Sequence, residues 1–122
     1  MSGSGSAPTV VQASDVRPPS GASGATAAQR LSGTGATGAE NTTALAGGEM
    51  ATLLVGATAV RVRWGGADTV EADTTDPILP AYGRFDWMVD SSRDDFVSVQ
   101  AADGTSAFEA WVWTSSGARA AT

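Results

Sequence analysis

The chain has no cysteine, no histidine and no lysine among its 122 residues. Without cysteine, no disulfide can staple a small domain, so its stability has to come from a packed core or from assembly. The missing side chains also remove the usual general base near neutral pH, the thiol nucleophile, the Schiff-base amine and the commonest zinc ligands. Positive charge rests on seven arginines alone, against 13 acidic residues, for a net charge of -6. Those arginines (Arg17, Arg30, Arg61, Arg63, Arg84, Arg93 and Arg119) are scattered, so no nucleic-acid partner is expected. No apolar run approaches the ~20 residues of a membrane span, so no membrane partner is expected. The N-terminus lacks the basic and apolar regions of a signal peptide, and synthesis in the cytoplasm without an export signal is expected.

Aromatic residues are missing from the first 48 positions, where 35 of 48 residues are Gly, Ala, Ser, Thr or Pro. Ordering such a segment costs roughly 1–2 kcal/mol of backbone entropy per residue. Its apolar groups are few: Val10, Val11, Val16, Leu31 and Leu45. Residues 1–48 therefore read as a low-complexity extended arm that cannot fold alone. A neighbouring surface would hold it through main-chain hydrogen bonds, with Val10, Val11, Val16 and Leu31 as interface residues. Removing the arm is expected to leave the rest folded. Residues 49–116 read as one small domain and 117–122 as a C-terminal tail.

Within that domain the hydrophobic period is two. Val60, Val62 and Trp64 face one way while Arg61 and Arg63 face the other; Phe85, Trp87 and Val89 oppose Arg84, Asp86 and Met88. Both segments read as half-buried strands. Further strands are expected over 50–55, 96–101 and 107–113, with a short one at 69–72. Asp103-Gly104 supplies residues that tolerate positive φ and predicts a hairpin between the last two strands. The fold class expected is all-β, a small antiparallel β-sandwich or jelly-roll-like barrel with a long N-terminal arm.

The last strand is apolar on both faces. Phe108, Ala110 and Val112 share one side, and Trp111 and Trp113 stand beside Glu109 on the other. Either both faces are covered within one chain, or the tryptophan face packs on another subunit or on the arm. Carboxylates are the remaining chemistry. Asp73, Asp76, Asp90, Asp94 and Asp95 match no calcium-loop spacing and read first as turn and loop groups, so no catalytic residue, cofactor or metal is expected. Asn41-Thr42-Thr43 has the form of a glycosylation acceptor, but without an export signal it carries no weight.

The segments Val60-Arg61-Val62-Arg63-Trp64, Asp76-Pro77-Ile78-Leu79-Pro80-Ala81 and 96–113 resemble small virion structural proteins of tailed bacteriophages. An arm of small residues ahead of a compact β domain is similar to the decoration, or cement, proteins of phage heads. The resemblance implies a non-enzymatic virion protein that binds the outer capsid surface and clamps major capsid subunits, as a homo-oligomer on the particle. Other virion positions fit the same layout: a head fibre base, a head-tail joining protein or a tail component. A carbohydrate-binding β-sandwich, with Trp111 and Trp113 as its stacking platform, is the reading from another class.

Overall fold

A computed structural model of the chain describes residues 26–115. Eight strands follow one another in it: β1 (Gln29–Thr34), β2 (Ala39–Glu40), β3 (Met50–Val55), β4 (Val60–Gly65), β5 (Ile78–Leu79), β6 (Arg84–Met88), β7 (Phe96–Ala101) and β8 (Ala107–Ser115). They form two antiparallel four-stranded sheets, ordered β1-β8-β3-β6 and β2-β7-β4-β5. The expected all-β sandwich is the architecture found. Its pairings are nested, β1 with β8, β2 with β7, β3 with β6 and β4 with β5. This is the strand order of an eight-stranded jelly roll.

The core lies between the sheets. Leu31, Leu53, Val55, Phe108, Ala110 and Val112 come from the first sheet and meet Val60, Val62, Val97 and Val99 of the second. Each full-sized side chain buried there contributes about 1.5–3 kcal/mol. The expected alternation in β4 and β6 holds: Val60 and Val62 are buried, and Phe85 and Trp87 stand opposite the core residues Leu53 and Ala51.

Three expectations are corrected. The boundary placed at Gly48 does not hold, because β1 pairs along its whole length with β8, β2 pairs with β7, and Leu31 and Leu45 are each 2% exposed in the core. Leu31 is thus a core residue and not an interface residue of an arm. Two leucines spaced along a polar stretch suffice, because β8 and β7 supply the rest of the apolar surface. The short strand at 69–72 is instead an irregular segment folded over the outer face of β7, where the Ala72 N–H donates to Ser98 Oγ at 2.9 Å. The Asp103-Gly104 turn forms, with Gly104 at φ +74°, where a side chain would be strained. It is no hairpin, however, since β7 and β8 belong to different sheets.

Asn41 fastens the early segment to the later one. It is 1% exposed, its Nδ2 donates to the carbonyls of Thr43 and Asp95, and its Oδ1 accepts the Val97 N–H at 2.8 Å. An amide so engaged is closed to glycosylation in the folded chain. Its role is to satisfy buried main-chain groups where β7 begins.

Candidate functional site

Sheet edges position the exposed chemistry. β5 and β6 are the outermost strands of the two sheets on the same side of the sandwich, and the turn carrying Tyr82 joins them. This rim holds Ile78 (51% exposed), Tyr82 (74%), Phe85 (40%) and Met88 (53%). Tyr82 also adopts φ 61°, an uncommon left-handed conformation for an aromatic residue. β5 spans two residues between Pro77 and Pro80, so the second sheet ends short and leaves the end of β4 open beneath β6.

In that opening Trp64, Phe85 and Trp87 make an aromatic cluster. Ring centroids are 5.0 Å apart for Trp64 and Phe85, 5.7 Å for Trp64 and Trp87, and 6.0 Å for Phe85 and Trp87. With Asp94 they line a largely apolar cleft of about 290 Å³. Trp87 Nε1 donates to the Asp94 carbonyl at 3.1 Å, while Trp64 Nε1 is buried without a partner. At these separations the rings touch one another, so the cluster offers a wall for flat apolar groups and no cage around a cation.

A second, polar recess of about 500 Å³ lies where the segment over β7 meets β4. Arg63 sits at its edge and bridges Asp73 Oδ2 at 2.8 Å and Asp76 Oδ2 at 3.0 Å. The Thr75 hydroxyl and N–H bonds, and then Arg63, hold the Asp73 carboxyl below its ordinary range. Asp73 and Asp76 are therefore spent on ordering this loop. Asp94 likewise accepts the Asp90 N–H, and Asp95 is buried, so the five acids do not converge. Among the described residues no group of three or more acidic side chains could hold a metal ion.

Asp103 is the most perturbed carboxylate. The Ser106 hydroxyl and the N–H groups of Ser106 and Thr105 lower it from 3.8 to about 2. Because the folded value lies below the unfolded one, this turn adds stability above about pH 4 and loses it as pH falls through about 2. Thermal unfolding is expected to be flat between about pH 7 and 5, and to drop below about pH 4 with a smaller slope in Asp103→Asn. A melting temperature that does not change between about pH 4 and 2 would contradict this role.

The expected interface residues separate. Val10, Val11 and Val16 lie outside the described residues, as does the tail at 117–122. Trp111 is half-buried and Trp113 is 5% exposed, both on the face of β8 turned away from the core, where Trp113 lies opposite Thr52. Trp113 is therefore no free anchor for a second subunit and no stacking platform for a sugar. The aromatic cluster was missed because its members read as inward-facing. The one sequence signal for it was the pair of prolines that cuts β5 short. No protein-family model matches the chain, and no curated protein and no solved structure shows significant similarity to it.

Proposed function

We propose that this chain is a non-enzymatic virion structural protein, a decoration protein that binds the outside of a phage head and stabilises it. The observation that carries this reading is the rim of Ile78, Tyr82, Phe85 and Met88 on a jelly-roll sandwich. Four large apolar groups exposed along one edge of the sandwich support a contact surface there, and viral capsid domains are among the recurrent uses of this architecture. A clamp of this kind needs many repeated weak contacts and no reaction chemistry. The major capsid protein is the proposed partner.

Quantitative protein analysis of purified particles tests the reading. The chain is expected in copy number comparable to the major capsid subunit. Its absence from particles would sink the virion reading, and a few copies per particle would move it to a head-tail joining, fibre-base or tail position.

The cleft of Trp64, Phe85 and Trp87 favours a second reading, a carbohydrate-binding sandwich in which sugar rings stack on these aromatics instead of on Trp111 and Trp113. Glycan binding by the purified chain that is lost in Trp87→Ala would select it.

A further inference from the structure

We infer that the outer edge of β6 pairs antiparallel with β6 of a second copy of this chain, about a two-fold axis through Phe85. The Val55 N–H donates to the Gly83 carbonyl and the Val89 N–H to the Glu49 carbonyl. Alternation along an antiparallel ladder then turns the main-chain groups of Gly83, Phe85, Trp87 and Val89 toward β3, and those of Arg84, Asp86 and Met88 outward.

Among the described residues nothing covers that edge. At the opposite edge of the same sheet, near the start of β1, side chains hold the loop that follows β2: Gln29 Oε1 accepts the N–H groups of Thr42 and Thr43, and Thr26 Oγ1 accepts that of Ala46. Both edges of the second sheet are strands of two residues. β6 is regular and open over five residues, with no proline, lysine or bulge to block pairing, and unlike β1 it carries exposed large apolar groups, Phe85 and Met88.

Charge selects the register. Only outward-turned residues can exchange ladder hydrogen bonds, so Arg84, Asp86 and Met88 must be matched among themselves. Centring the pair on Arg84 or on Asp86 sets like charges against each other, and centring on Trp87 leaves Asp86 facing the partner's Met88. Within one chain Arg84 Nε bridges Asp86 Oδ1 at 3.2 Å and Asp86 Oδ1 accepts the Thr52 hydroxyl at 2.6 Å; centring on Phe85 sets Arg84 against the partner's Asp86 as well, the symmetry repeats that match, and the four charges alternate across the seam. The two Phe85 rings then meet on the cleft side. The arrangement covers the exposed Phe85 of each copy and leaves both charges paired. It takes Phe85 from the rim that carries the capsid reading and concerns two copies of the chain in solution, so its test is separate from that of the capsid reading.

Sedimentation of the full chain over a range of concentrations tests it. A monomer–dimer equilibrium is expected. Arg84→Asp and Asp86→Arg each create two like-charge pairs across the seam, besides one within each chain, and are expected to weaken the dimer at least about tenfold. The double variant Arg84→Asp/Asp86→Arg restores opposite charges and is expected to return to within about threefold of the wild type. Circular dichroism checks that each variant folds. Should a reversal not fold, Arg84→Ala gives a smaller loss of the same sign. A wild-type chain that stays monomeric to about 1 mM overturns the inference, with the chain's own N-terminal arm then the candidate for the edge. So does a dimer that both single reversals leave unchanged, or one that the double variant fails to restore.

Discussion

A chain beginning at Glu49 is expected to show no cooperative thermal unfolding, whereas a chain beginning at Thr26 unfolds in one transition. The first cut removes β1 and β2, and with them Leu31 and Leu45, each buried to 2% exposure. Together the two leucines contribute roughly 3–6 kcal/mol. The same cut removes Asn41, leaving the Val97 N–H without its acceptor, at a cost of about 1–3 kcal/mol for a buried group. It also strips β8 of the strand that pairs with it from Ala107 to Val112 and opens Phe108 and Val112 to water. The sum is of the order of the whole stability of a small domain, about 5–15 kcal/mol. The second cut keeps every one of these contacts, including the Thr26 bonds to Thr114 and Ala46. Circular dichroism melts and amide dispersion of the two truncations decide the matter: a chain from Glu49 that melts cooperatively would make β1 and β2 dispensable.

The sequence made the later strands legible because each carries its own alternation. In β4 and β6 the apolar residues recur at every second position, and their faces follow directly. β1 carries a single large apolar residue, Leu31, in Gln29–Thr34, and β2 is two residues long. No local pattern marks either as a strand. What makes them strands is β8 and β7, about 80 and 60 residues further on, and pairing at that distance leaves no trace in a window of ten residues. The same nesting explains the misread turn. Asp103-Gly104 has the chemistry of a hairpin turn, yet a jelly roll carries the chain from one sheet to the other at that point. Turn residues report the local reversal and not the strand that each arm pairs with. The aromatic cleft was hidden for a related reason. Period-two reading puts Trp64, Phe85 and Trp87 inside, correctly, but it cannot see that the sheet opposite ends early.

Trp113→Ala is expected to cost about 3–5 kcal/mol of stability, the usual range for truncating a buried tryptophan. The strand's two faces set up a competition that the fold resolves by covering both: Phe108, Ala110 and Val112 point into the core, and Trp113 is nevertheless 5% exposed on the other side. Trp111, two residues earlier on that same face, is only half-buried, so Trp111→Ala should cost clearly less, about 1–2 kcal/mol. The contrast matters because the two residues are indistinguishable by periodicity. If both were contact residues for a partner, both substitutions would weaken association and neither would shift unfolding of the free chain. In urea denaturation, where a small domain loses about 1–3 kcal/mol per molar, Trp113→Ala should lower the midpoint by about 2 M, and Trp111→Ala by less than half of that. Equal and small shifts for the two variants would return Trp113 to the surface and restore it as a contact residue.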